Sequence, residues 1–168
     1  MDIAYTVFDN KAELYEFIVK QVRRLGEETS EKMSLLSNIS ALLKIELENV
    51  NWAGFYLLQG GRLVLGPFQG KPAVAEIAIG QGVCGTAVKE KRTQLVDDVH
   101  KCSNHIACDI STFSEIVVTI ECNGELFGVI DIDSPISARF DEEDRYGLEM
   151  VSRAVSDILE KLISRNKK

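Results

Sequence analysis

Glu115-Ile116-Val117-Val118-Thr119-Ile120-Glu121-Cys122-Asn123-Gly124-Glu125-Leu126-Phe127-Gly128-Val129-Ile130-Asp131-Ile132-Asp133 is the stretch whose reading decides the fold. Glu115 to Cys122 is rich in β-branched residues, which favour strands, and Asn123-Gly124 is the dipeptide preferred by a two-residue type I′ turn. The strand Leu126 to Ile132 must then return antiparallel beside the first. Alternation along it puts Asp131 and Asp133 on one face, with Ile130 and Ile132 on the other. Acids seldom face a core, and a solvated sheet edge is their commoner place. The functional alternative is that they hold an ammonium or a metal, since a partly buried carboxylate is tolerated only when paired. Glu115 opens the partner strand and brings a third carboxylate within reach. Three converging acids suit a primary amine.

Upstream, Trp52-Ala53-Gly54-Phe55-Tyr56-Leu57-Leu58, Gly60-Gly61 and Leu63-Val64-Leu65 read as strand, turn and strand. Trp52 and Tyr56 are four apart and share a face of their strand, where aromatics more often serve a core than a ligand wall. From Leu14 the residues Phe17, Ile18, Val22 and Leu25 recur at helical spacing, with Gly26 placed to end the helix. A second helix is expected after Ser30, with Met33, Leu36, Ile39 and Leu43 on one side and Glu31 in its first turn. Asp141 opens a long closing helix with Glu142, Glu143 and Asp144 in its first turn and a buried stripe of Leu148, Val151, Val155, Ile158, Leu159 and Leu162. The expected architecture is α+β: a central, mainly antiparallel sheet flanked by helices from both chain ends.

The 168 residues, 45% hydrophobic and 27% charged, fit one globular domain spanning 1–168. A net charge of −7, with no basic run beyond Lys167-Lys168, argues against nucleic acid. No window approaches the roughly 18 uninterrupted apolar residues of a membrane span, and the N-terminus lacks a basic region followed by an apolar one. No membrane association is expected, and the expected location is the cytoplasm. Four cysteines, Cys84, Cys102, Cys108 and Cys122, are too few for a disulfide scaffold and leave metal binding, catalysis or packing.

Cys108 lies in a polar loop that also carries His100 and His105, a better setting for a reactive thiolate than an apolar core. Cys84 sits in Gly80-Gln81-Gly82-Val83-Cys84-Gly85-Thr86-Ala87, where small residues lead into a short helix whose first amides suit an anion such as a ligand carboxylate, or simply form a tight turn. His100, Cys102, His105 and Cys108 have the residue types of a zinc site, but no Cys-x-x-Cys element. Zinc therefore remains the minority alternative, and no metal or bound cofactor is expected. Cys122, beside the hairpin turn, reads as structural.

Taken together these segments resemble the free methionine-(R)-sulfoxide reductases, small stand-alone GAF-domain enzymes. The resemblance runs nearly the whole chain, through Gly66-Pro67-Phe68-Gln69-Gly70-Lys71, Gly82-Val83-Cys84-Gly85-Thr86-Ala87, Asp98-Val99-His100, His105-Ile106-Ala107-Cys108-Asp109, Ser114-Glu115-Ile116-Val117-Val118, Gly128-Val129-Ile130-Asp131-Ile132-Asp133-Ser134 and Phe140-Asp141-Glu142-Glu143-Asp144. It implies a GAF fold with a closed pocket for free methionine sulfoxide. It further implies that Cys108 is the catalytic cysteine and Cys84 a second redox cysteine able to pair with it. Trp52 and Tyr56 match pocket aromatics, and Glu115, Asp131 and Asp133 match its acids. On that basis Cys108 attacks the sulfoxide sulfur, Glu115 supplies a proton to the oxygen, and the resulting sulfenic acid condenses with a second thiol. A thioredoxin-like dithiol then resets the enzyme. Trp52 receives the S-methyl group while Asp131 and Asp133 hold the ammonium.

One departure bears on the resolving step. The family pattern has a third cysteine ten residues before the position of Cys84, and Val74 stands there in this chain. Cys84 is then the expected resolver, with Cys102 the alternative, or turnover uses an external thiol. Val74 is also the chief argument for a different class of function, a GAF sensor or small-ligand module without turnover. Such modules usually come attached to an output domain, for which 168 residues leave no room, so the reductase is the expected function. A homodimer through the terminal helices suits the fold, though no sequence feature requires it.

Overall fold

The Asn123-Gly124 turn forms as its dipeptide dictates, with φ of +52° and +78° at its two residues, the left-handed pair a type I′ turn needs. It joins β5 (Ser114–Cys122) to β6 (Glu125–Ser134). Gly60 and Gly61, at φ of +57° and +77°, do the same between β1 (Trp52–Gln59) and β2 (Arg62–Gln69). The computed structural model describes residues 7–103 and 110–165. Two short strands, β3 (Glu76–Ala78) and β4 (Gln94–Val96), complete the sheet among the described residues. Its order is β3-β2-β1-β6-β5-β4, and every pairing is antiparallel. The two hairpins thus lie side by side, joined through β1 and β6.

Three helices cover one face: α1 (Lys11–Glu28), α2 (Lys32–Glu46) and α4 (Glu142–Arg165). Their buried stripes meet Ala53, Phe55 and Leu57 of β1, Ile116, Val118 and Ile120 of β5, and Ile130 and Ile132 of β6 in the larger core. Each such side chain, fully buried, contributes about 1.5–3 kcal/mol. Cys122 is buried in the same core, in keeping with a structural role. The middle of the chain supplies α3 (Gly82–Glu90), which lies over the other face. There a smaller cluster gathers Trp52, Tyr56, Leu63, Ile77, Val83, Cys84, Ala87, Val88, Val117 and Val129.

Three helix details differ from the sequence expectation. Gly26 does not end α1, which continues to Glu28. A Cβ at Gly26 would stand 2.7 Å from the Ile158 side chain, so the glycine serves the close approach of α1 to α4. In α2, Glu31 is the residue before the helix rather than part of its first turn. Met33 is 47% exposed because it lies roughly 90° around the helix from the centre of the stripe set by Leu35, Leu36, Ile39, Ser40 and Leu43.

The first turn of α4 holds a buried ionic junction. Asp144 has no exposed surface; it accepts from Tyr15 Oη at 2.9 Å, Lys11 Nζ at 2.7 Å and Arg139 Nη1 at 3.3 Å. Buried carboxylates persist when their charge is paired and their lone pairs are filled, and this one ties α1 to α4.

Candidate active site

Alternation and register together assemble the site on the α3 side of the sheet. Glu115 of β5 stands opposite Asp133 of β6, and Asp133 stands opposite Trp52 of β1. One row across three strands therefore reads Glu115, Asp133, Trp52. The next row on that face reads Val117, Asp131, Gly54. Directly opposed residues have Cβ atoms roughly 4.5–5.5 Å apart, so three acids that are distant in sequence or alternate along a strand become immediate neighbours. All three are buried, with Glu115 5%, Asp131 6% and Asp133 6% exposed. The solvated-edge reading of these acids is thereby set aside.

Cys84 reaches the acids from α3. The helix begins at Gly82, where Gly80 and Gly82 both take positive φ, and its inner face carries Val83, Cys84, Ala87 and Val88 onto the smaller cluster. The Cys84 Sγ and carboxylate oxygens of Glu115 and Asp131 all lie within 4.8 Å of one another. Cys84 hydrogen-bonds to Asp131, and Asp131 to Glu115. Burial, then the charges of Asp131 and Glu115, push the Cys84 thiol well above its usual range. Burial, then the charge of Asp133, does the same to Glu115. Burial, then the charge of Glu115, raises Asp131. Without a cation the cluster holds its protons to higher pH than free carboxyls do, because adjacent carboxylates in a low-dielectric site disfavour one another's ionisation. Among the described residues, Asp131 Oδ1 is buried without a hydrogen-bond partner.

Aromatic rings form the next wall. Trp52 stacks on Tyr56 at 6.0 Å between centroids and on Phe68 at 5.2 Å, with interplanar angles of 23° and 13°. Their polar ends fasten the β2–β3 loop: Trp52 Nε1 donates to Lys71 O at 3.1 Å and Tyr56 Oη to Val74 O at 2.9 Å. Val74, the position lacking the third cysteine, is thus held beside the aromatic wall by its own carbonyl. Phe68 owes its stacking to the β1–β2 register, which shifts between Gly54 and Tyr56. A Cβ at Gly54 would meet the Phe68 Cβ at 2.4 Å, so glycine is what admits the ring.

The polar loop is placed in part. Cys108 and His105 lie outside the described residues. Cys102 is partly exposed, and burial, then the charges of Glu115 and Asp98, raise its thiol; it belongs to the rim of the same acidic site. His100 Nδ1 pairs with Asp98 Oδ1 at 3.0 Å, and its ring packs on Phe113 at 4.8 Å. The metal-compatible triad among the described residues is Cys84, Glu115 and Asp131, a different set from the histidines and cysteines of the loop.

Comparison with known proteins bears directly on this arrangement. The GAF domain model matches residues 34–159. Free methionine-R-sulfoxide reductase of Escherichia coli is 43% identical over 150 residues, 89% of this chain and 91% of the relative. The chain belongs to the free methionine-R-sulfoxide reductase family. The reduced form of fRMsr of Staphylococcus aureus superposes with a TM-score of 0.84 at 47% identity, covering 92% of this chain and 99% of that one. The Neisseria meningitidis free methionine-R-sulfoxide reductase in complex with its substrate gives a TM-score of 0.92 at 34% identity, covering 98% and 99%. In this chain Glu115 of β5, Asp131 and Asp133 of β6, Trp52 and Tyr56 of β1 and Cys84 of α3 meet on one side of the sheet.

Proposed function

We propose that the protein reduces free methionine-(R)-sulfoxide to methionine as a single domain of 168 residues. The observation that carries this reading is the convergence of Cys84, Glu115, Asp131 and Asp133 beside Trp52, with a buried Asp131 oxygen that has no hydrogen-bond partner among the described residues. Such a cluster is costly until a cation enters, and the ammonium of a free amino acid is a cation that a peptide-bound methionine lacks. Asp131 and Asp133 hold that ammonium, and Trp52 with Tyr56 encloses the S-methyl end. Glu115, whose pKa burial and then Asp133 raise well above the usual carboxylate range, is the donor to the sulfoxide oxygen.

Cys108 is the nucleophile. Its thiolate attacks sulfur as Glu115 protonates the oxygen; methionine leaves and Cys108 becomes a sulfenic acid. Cys84 resolves it, forming the S–S bond and releasing water. A thioredoxin-like dithiol reduces the disulfide by exchange and is itself oxidised. The placement of Cys84 against Asp131 supports its role, since Asp131 can accept the thiol proton. Cys102, at the rim, is the alternative resolver. No bound cofactor enters the cycle. The reaction is placed in the cytoplasm, where dithiol reductants are available; no described helix is long and apolar enough to cross a membrane. A homodimer would form along the seam of α1 and α4 lined by Val19, Tyr146 and Met150; sedimentation of wild type against Tyr146→Glu checks it.

The test is NADPH oxidation through thioredoxin reductase and thioredoxin with free methionine-(R)-sulfoxide, in the presence of EDTA. Wild type turns over and Cys108→Ser does not. Cys84→Ser forms one equivalent of methionine per protein and then stalls. If folded, reduced wild type turns over with neither thioredoxin nor dithiothreitol, the reductase reading fails and a ligand-binding module takes its place.

A further inference from the structure

We propose that the substrate-free, reduced protein binds one thiophilic divalent cation, of the zinc class, at Cys84, Glu115 and Asp131, in competition with the amino-acid ligand. The geometry is that of a site already drawn together: one ligand atom from each residue lies within 4.8 Å of the other two, and all three residues are buried. Ligand atoms around a tetrahedral zinc, bound at about 2.0–2.3 Å, stand roughly 3.3–3.8 Å apart, so a small contraction closes the set. A thiolate with carboxylates is a donor set that suits zinc or cobalt rather than magnesium or calcium. The independent observation is Asp131 Oδ1, an oxygen with no hydrogen-bond partner among the described residues on a residue 6% exposed.

Charge supplies the driving force. The groups that act on Cys84 are Asp131, Glu115 and Asp133, all acidic, and those that act on Cys102 at the rim are Glu115 and Asp98. A divalent cation bound by the Cys84 thiolate and the two carboxylates neutralises this concentration of acids, and any proton its ligands give up passes to solvent. The metal exchanges no electrons, and Cys84 remains at the thiol oxidation level as a bound thiolate. The inference rests on the same acids that are proposed to hold the substrate ammonium, and it makes metal and ammonium mutually exclusive. A metal-held Cys84 is also withdrawn from disulfide formation.

Reduced protein freed of metal is titrated with Co²⁺ and, separately, with Zn²⁺, following the near-ultraviolet thiolate-to-cobalt band and proton release in weak buffer. One equivalent is expected, with the band lost in Cys84→Ser, affinity at least tenfold weaker in Asp131→Asn, and the signal retained in Cys102→Ser. Free methionine should displace the ion. Absence of any thiolate-to-cobalt band in wild type overturns the proposal, as does a band that persists in Cys84→Ser; the latter would assign the metal to the loop thiols and histidines. Turnover with EDTA present reports on the reductase reading separately, so the two can fail independently.

Discussion

Asp131→Asn separates what the acid cluster costs the fold from what it does for the ligand. In the substrate-free protein Asp131 is buried, has an oxygen without a hydrogen-bond partner among the described residues, and carries a pKa raised from 3.8 by burial and then by the charge of Glu115. A raised carboxyl pKa means that the folded state binds the proton more tightly than the unfolded chain. The associated penalty is absent below the unfolded value near 3.8, grows as pH rises from there toward the folded value, and is complete above it. An amide does not titrate, so the variant escapes that loss. Replacing a buried carboxylate by a neutral amide relieves a desolvation cost of about 1–3 kcal/mol, or about 2–12 °C in melting temperature for a chain of this length, and the gain should be larger at pH 8 than at pH 5. Toward substrate the sign reverses. With Asp131 holding the ammonium as proposed, the variant loses a charge-assisted bond worth about 1.5–3 kcal/mol, so KM should rise about 10–150-fold, while kcat changes far less because the proposed proton donor is Glu115. Melting curves at the two pH values with and without free methionine sulfoxide, beside steady-state kinetics, read all of these quantities. A variant with unchanged KM, or one that melts lower than wild type at pH 8, would refute the reasoning.

Three further outcomes follow from the same physics. Tyr15→Phe removes the 2.9 Å bond to the wholly buried Asp144; calorimetry should show a loss of about 1.5–3 kcal/mol with kcat/KM unchanged, since the junction lies across the sheet from the site. The acid limb of kcat/KM should fall above the ordinary Asp value of 3.8, because burial and then Glu115 raise Asp131 and protonating it abolishes ammonium binding as pH falls; a limb at or below 3.8 would contradict the buried cluster. Burial pushes Asp141 up, but its bonds with Lys11 and with Asp144 hold it at about 2. A depressed carboxyl stabilises above its unfolded value near 3.8 and loses that contribution as pH falls to about 2. Lys11→Met should flatten this part of the acid-unfolding curve, by a modest amount because Asp141 is half exposed.

Much of the fold could be read from local signals. Strand alternation placed Asp131 and Asp133 opposite Ile130 and Ile132, Asn123-Gly124 marked the hairpin, and the 3.6-residue period of α4 named its buried stripe. These follow from backbone geometry within a few residues, which each segment carries with it. Gly26 shows the limit: in isolation a glycine near a helix end reads as a terminator, and only the proximity of Ile158 on a helix far along the chain explains why α1 runs through it. The burial of Asp144 was equally hidden, because an acid in a first turn already satisfies the helix dipole and nothing local reports Tyr15, Lys11 and Arg139 closing around it.

The site divides in the same way. Residue types and alternation by themselves determined that two acids share a face, that a third opens the neighbouring strand, and that the family motifs surround them. Tertiary structure decided that Asp133 sits between Glu115 and Trp52, since that depends on the register of β6 against both β5 and β1. It also decided that Cys84 comes from α3 to within 4.8 Å of the Glu115 and Asp131 oxygens, and that Phe68 joins Trp52 over Gly54. Side-chain direction is a property of one strand, whereas register and helix placement are set by cooperative packing of segments distant in sequence; burial, and with it every raised pKa in the site, exists only once those segments have met.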